Sequence, residues 1–306
     1  MSTAFDAGNG KITVPDIASR KSSTPNSRAS SSGNSQSNSE KRKIVCLTAY
    51  DYPTARFVDE AGVDIVLVGD SLGMVALGYE NTLPLTMEEM LHHTRAVRRG
   101  VRKAMLVADM PYGSFHGDKR EAVRNAVRFV KEAGAEGVKI EGGERRMELI
   151  AQLVEAEIPV MGHIGLTPQS MHAFGGFRVQ GKSVEAAEQL LRDARAVEAA
   201  GAFSVVVESV PRELAARITS ELRIPTIGIG AGPECDGQIL VLHDMIGLSV
   251  GHTPKFARRY ANVGEAIRNA VGAYADDVRE GRFPSDEESY HLSSEVRERL
   301  LAVRRS

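Results

Sequence analysis

VLVGDS at 66–71, MLVADMP at 105–111 and VKIEGG at 138–143 share one layout: a short aliphatic run that stops at an ionisable side chain, here Asp70, Asp109 and Glu141. GHIGLTPQ at 162–169 and SVVVES at 204–209 repeat it with His163 and Glu208. A strand buried on both faces is uniformly aliphatic, so charge at the C-terminal end of one run after another calls for a purpose beyond packing. In a barrel of parallel strands all those ends meet on one face. Asp70, Asp109, Glu141, His163 and Glu208 would then converge although far apart in the chain.

Eight candidate strands follow from Lys43, at 43–49, 64–70, 104–110, 137–141, 159–164, 204–209, 225–230 and 238–243. Most gaps between them carry a helical pattern, which is the alternation of right-handed βαβ units. Thr86 with Glu89 is a capping-box signature that opens a helix through Val97, and Asp118 caps another through Ala133, stopped at Gly134. Residues 183–200 form a third, ended by Gly201. Val263, Ile267, Ala270, Val271, Tyr274 and Val278 recur at helical spacing ahead of the breakers Gly281 and Pro284, in a helix suited to cover the barrel or a neighbouring subunit. The expected fold is α/β, a (β/α)8 TIM barrel in a single domain over 43–292, since such barrels occupy ~250 residues as one unit. Residues 22–39 contain nine serines and little apolar surface, so 1–42 are expected to form a disordered tail. Residues 293–306 form a charged extension.

Composition narrows the partners. The chain is 42% hydrophobic and 25% charged with no Trp, so aliphatic residues carry the packing. A formal net charge of -2 provides no basic field for nucleic acid or an anionic membrane. Cys46 and Cys235 are too few for a disulfide framework and read as free thiols in a reducing compartment. With no run approaching the ~20 apolar residues of a span, and no secretion signal, a cytoplasmic location is expected. Asp6 and Asp16 argue against a mitochondrial presequence.

Three carboxylates without a cysteine ligand favour a hard cation such as Mg2+, which takes oxygen ligands and keeps waters for substrate to replace. Asp70 and Asp109 are the primary metal candidates, with Glu141 binding directly or through a water. Any one of them would equally serve as a helix cap or an arginine partner; together they are harder to explain that way. Lys139 lies two residues before Glu141 and so on the same face of its strand. There it can bind a substrate carboxylate, form a Schiff base or act as a counter-ion. His163 alone would pass as a hydrogen-bonded core histidine, but a strand end suits functional work. Glu208 closes a strand with no other charge and is the candidate general base or acid. GIGAGP at 228–233 lacks the Lys and Ser/Thr of a P-loop and reads as a tight loop after the seventh strand. The stretch FGGFRVQG at 174–181 is glycine-rich enough to hinge as a lid, while His92, His93 and His116 read as solvated or helix-face residues.

LTAYDYPTA at 47–55, GDSLGM at 69–74, ADMPYGS at 108–114, KIEGG at 139–143, GHIGLTPQ, GGFRVQG at 175–181 and GIGAGPECDGQ at 228–238 together resemble the ketopantoate (3-methyl-2-oxobutanoate) hydroxymethyltransferase family. The resemblance runs from about Lys43 to Leu292. It implies transfer of a one-carbon unit from 5,10-methylenetetrahydrofolate to 3-methyl-2-oxobutanoate, through a Mg2+-stabilised enolate. The products would be 2-dehydropantoate and tetrahydrofolate, in pantothenate and coenzyme A biosynthesis. It also implies metal ligation by Asp70, Asp109 and Glu141, oxo-acid contacts from Asp70, Ser71, Asp109 and Lys139, and Glu208 as proton acceptor. His163 is expected to orient the substrate or the acid–base group, and a homo-oligomer, typically a decamer, is expected. Two departures are visible: ESVP at 208–211 stands where some members have ECVP, and the Ser-rich tail has no family counterpart. A rival, the phosphoenolpyruvate mutase and isocitrate lyase group, would show a cysteine-bearing or acidic loop motif that is missing here. A non-catalytic scaffold barrel would have lost site residues, yet each position holds a competent side chain.

Overall fold

The computed structural model describes residues 10–21, 42–251 and 253–302. Eight strands, β1 Ile44–Thr48, β2 Ile65–Val68, β3 Met105–Asp109, β4 Gly137–Glu141, β5 Val160–Gly165, β6 Ser204–Glu208, β7 Thr226–Ile229 and β8 Gly237–Leu240, close into a barrel in chain order. Every neighbouring pair is parallel, and β1 joins both β2 and β8. This is the expected (β/α)8 barrel. β8 starts one residue earlier than the apolar run suggests, because Gly237 pairs with Ile44 where a Cβ would lie 2.5 Å from the Ile44 carbonyl oxygen. A glycine needed for that approach gives no hydrophobic signal.

The period of two along each strand builds the interior. Ile44 and Cys46, Ile65 and Leu67, Met105 and Val107, Met161, Val206, Ile227, Ile229 and Ile239 form one buried apolar cluster. Two residues further along the same rows come Asp109 after Val107, His163 after Met161 and Glu208 after Val206. Each row therefore passes from apolar floor to ionisable mouth, and strand alternation alone delivers the site residues there. Outside, the helix Met87–Gly100 opens on the Thr86–Glu89 capping box, and Lys119–Ala133 is capped by Asp118 and ended by Gly134 at φ 72°.

The expected disordered tail fails for residues 10–21. Val14–Ala18 form a short helix, and Ile17 is fully buried in the barrel cluster, with Ile12 and Val14 packed against it. Three ion pairs hold the segment below the strand starts: Lys11–Glu136 at 2.6 Å, Arg20–Asp64 at 2.6 Å and Lys21–Asp236 at 2.9 Å. Burying an isoleucine side chain stabilises by about 1.5–3 kcal/mol, and the packing of Ile12 and Val14 and the three ion pairs add to it. The Ser-rich stretch 22–41 lies outside the described residues, as do 1–9 and 303–306.

The C-terminal residues also differ from the single-domain expectation. Of the described residues, Ile246–Leu248 and 259–302 form one compact unit, while 249–251 and 253–258 group with the barrel. Within that unit, Val263–Arg279 and Ser294–Ala302 are helices with no buried residue. None of the described helices is long and apolar enough to cross a membrane.

Candidate active site

At the mouth, strand register places Asp109 beside Lys139 and Glu141 beside His163. Lys139 Nζ lies 2.6 Å from Asp109 Oδ1 and 3.2 Å from His163 Nδ1. His163 Nδ1 is 3.4 Å from Glu141 Oε1, and on the other side of the ring Nε2 reaches Glu208 Oε2 at 3.1 Å. Asp70 joins from the turn after β2, where its main-chain N–H donates to Asp109 Oδ2 at 2.9 Å. Gly69 permits that turn, since a Cβ there would stand 3.0 Å from Ser71 Oγ. Ser71 Oγ is 2.8 Å from the Tyr50 hydroxyl. Asp70, Asp109, Lys139, Glu141, His163 and Glu208 are thus linked in one network through these contacts and those of Gln169, and Ser71 borders it as the residue after Asp70, bonded to Tyr50.

The network is almost dry. Asp70, Asp109, Lys139, Glu141 and His163 are at most 5% exposed, whereas the Glu208 side chain keeps 15% of its surface. Burial, reinforced by the Asp109 and Glu141 charges, holds the Asp70 carboxyl well above the usual carboxylate range. Burial also raises Asp109, against the pull of Lys139. For Glu141 burial is outweighed by His163 and Lys139, and its carboxyl falls below the usual range. Burial and the Lys139 ammonium disfavour a charged His163, but its two carboxylate partners prevail and raise it to about 9. Lys139 stays an ammonium, because surrounding acids overcome its desolvation. Three acids around one lysine leave room for further positive charge, and an oxygen donor set suits a hard cation. Among the described residues no three acidic, histidine or cysteine side chains are gathered closely enough to hold an ion by themselves. The donor set fits Mg2+ carried by one or two carboxylates and completed by water and substrate, rather than an all-protein cage.

Sequence reasoning gave no role to Gln169, which bridges two of the acids, nor to Tyr50, which supports Ser71. Both lie in quoted motifs but in turns, where no periodicity singles them out. His93 stands off the site, its Nδ1 2.6 Å from the Tyr50 carbonyl oxygen; the 175–181 stretch is pinned by Gln180 N–H donating to Ser209 O at 2.9 Å.

A model of the ketopantoate hydroxymethyltransferase family matches residues 31–286. The chain belongs to that family. It is an enzyme, a hydroxymethyltransferase. A 3-methyl-2-oxobutanoate hydroxymethyltransferase of Koribacter versatilis is 62% identical over 260 residues, covering 85% of this chain and 88% of the relative. One from Syntrophomonas wolfei is 55% identical, covering 85% and 94%. Among solved structures, a 2,3-dimethylmalate lyase of the PEP mutase/isocitrate lyase superfamily overlays with a TM-score of 0.53 at 16% identity, covering 86% of this chain and 90% of that one. A phosphonopyruvate hydrolase complexed with oxalate and Mg++ gives 0.52 at 18% identity, covering 86% and 93%. At such identities the likeness is one of fold. The ketopantoate hydroxymethyltransferase family therefore shares its barrel with the rival group considered from sequence, while the close relatives decide the family.

Proposed function

We propose that this enzyme transfers a hydroxymethyl group from 5,10-methylenetetrahydrofolate to 3-methyl-2-oxobutanoate, giving 2-dehydropantoate and tetrahydrofolate for pantothenate biosynthesis. The observation that carries the reading is the buried chain of contacts from Asp70 through Asp109, Lys139 and His163 to Glu208. Its relatives' shared name supports the substrate and the group transferred.

Asp70 and Asp109 would hold Mg2+, with Glu141, held at Oε2 by the Gln169 main-chain N–H, acting on it directly or through a water. Bound there, the cation supplies positive charge to the keto and carboxylate oxygens of the oxo acid, which makes the C3 proton easier to remove. Lys139 neutralises the rest of the substrate's negative charge, and Ser71 contacts the same acid. Glu208, the most open acid of the network, takes the C3 proton; the His163 ring beside it holds that carboxylate in place. Both bonds from the one-carbon unit to folate nitrogens break as one water gives that carbon its oxygen and the two nitrogens its protons. The C3 electron pair bonds to the resulting CH2O unit, and the proton taken from C3 returns to the new hydroxyl oxygen. Burial keeps other water from quenching the carbon nucleophile.

The reading includes a homo-oligomer, a decamer by family resemblance, and a cytoplasmic location in keeping with two buried free cysteines. Its test is deuterium exchange at C3 of 3-methyl-2-oxobutanoate in D2O. Exchange that needs Mg2+ and stops on chelation supports the proposed chemistry; exchange indifferent to chelation removes the metal from it.

A further inference from the structure

Gln169 sits on the Pro168–Ser170 turn after β5 and is 5% exposed. It reaches the acids by two routes. Its main-chain N–H donates to Glu141 Oε2 at 3.0 Å, and its Nε2 donates to Asp70 Oδ2 at 2.9 Å and to the Met110 carbonyl oxygen at 3.0 Å. Both amide hydrogens are therefore used by acceptors from two different strand ends. That settles the orientation of the amide, since a flip would set Oε1 against a carboxylate and a carbonyl. Oε1, fixed in this way, is buried with no partner among the described residues. A buried amide oxygen without a donor is uncommon enough to need an explanation, and a hydrogen-bonding ligand in the site is one.

We infer that Gln169 is the positioning residue of the site. It clamps Asp70 through Oδ2, holds Glu141 through Oε2, and would offer Oε1 to a donor on a bound ligand, a water carried by the cation or the substrate. The turn follows directly from a residue tied to the catalytic strand, because Leu166 N–H donates to Glu208 O at 2.9 Å. One residue thus sets the spacing of acids carried by β2 and β4 from a turn on β5. Groups that orient metal ligands from behind commonly change metal affinity 10- to 100-fold when lost. This inference rests on the proposed Mg2+ site.

The test is Mn2+ binding to the purified enzyme by electron paramagnetic resonance, without substrate, for wild type and Gln169→Met, which keeps the unbranched shape but neither polar group. The expected result is a dissociation constant raised about 10- to 100-fold, an altered bound-Mn2+ spectrum, and a raised KM for the oxo acid at fixed Mg2+. Gln169→Asn withdraws the amide by one methylene, should weaken binding in the same direction, and carries the test should the Met variant not fold. Wild-type affinity and spectrum in a folded variant would overturn the inference, and a mere loss of folded fraction with unchanged affinity would reduce Gln169 to a structural role. A wild-type enzyme that binds no Mn2+ would instead sink the metal site, and this inference with it.

Discussion

Glu208 and Asp109 are adjacent in role but separable by substitution. Glu208→Gln keeps the size of the side chain and its contact with His163 while removing the proton acceptor, so C3 deuterium exchange should fall by about 10²–10⁴-fold with Mg2+ affinity little changed. Exchange at the wild-type rate, followed by proton NMR, would take Glu208 out of that role. Asp109→Asn does something else. It leaves the buried Lys139 ammonium without its 2.6 Å partner, and breaking such a pair costs about 3–5 kcal/mol. Urea unfolding should show a loss of that order, alongside a higher Mg2+ requirement for activity in the protein that still folds; an unchanged Mg2+ dependence would contradict ligation by Asp109. These residues were legible because each closes an aliphatic row, so a charge stood where packing had no use for one. Gln169 was not. It lies in a turn, its chemistry is neutral, and its importance comes from touching residues 70 and 141, which only the closed barrel brings near.

At the scale of elements, local rules and tertiary burial compete, and the chain shows both outcomes. The Thr86–Glu89 capping box was readable as a four-residue motif and forms as such, with Glu89 Oε2 accepting from Thr86 N–H at 2.8 Å and Thr86 Oγ1 accepting from Glu89 N–H at 3.2 Å. Thr86→Ala should cost about 1 kcal/mol in chemical denaturation. Hydrogen bonds from Tyr79, then from Thr86, hold the Glu89 carboxyl below its ordinary value of 4.5. A lowered acid releases its proton more readily folded than unfolded, so its stabilisation is complete above the ordinary value and is lost as pH falls through the folded one. Glu89→Gln should therefore flatten the part of the acid-side stability curve just below pH 4.5, and a curve parallel to wild type there would refute the contribution. The segment 10–21 went the other way. Five helical residues before a serine-rich stretch carry no amphipathic signal worth trusting, and what orders them is contact with Asp64, Glu136 and Asp236 at the barrel floor. Ile17→Ala should destabilise by about 2–5 kcal/mol in a urea titration, a cost that no disordered tail would show.

Over the whole molecule, a near-neutral balance of -2 and an aliphatic core give a barrel with buried charge at both ends, ion-paired with residues 10–21 at its floor and gathered into the candidate site at its mouth. The strand count and order were legible because a parallel barrel writes each strand as an apolar run. The C-terminal unit was legible as a helix but not as a separate body, because periodicity records a face and not what the face meets. Ile267, Val271, Tyr274 and Val278 on that helix are all at least 46% exposed, an apolar stripe of the kind that marks association surfaces. Val271→Glu should shift the assembly toward smaller species in analytical ultracentrifugation, and an unchanged distribution would dissociate this stripe from the proposed homo-oligomer. The central claim concerns the mouth, where acids, lysine and histidine meet in a chain of this family. It is tested most directly by proton NMR of 3-methyl-2-oxobutanoate and 5,10-methylenetetrahydrofolate with the purified enzyme, with Mg2+ present and then chelated. Appearance of 2-dehydropantoate with Mg2+ and its loss on chelation are predicted; folded enzyme that forms no product with Mg2+, or forms it equally without, would contradict the account.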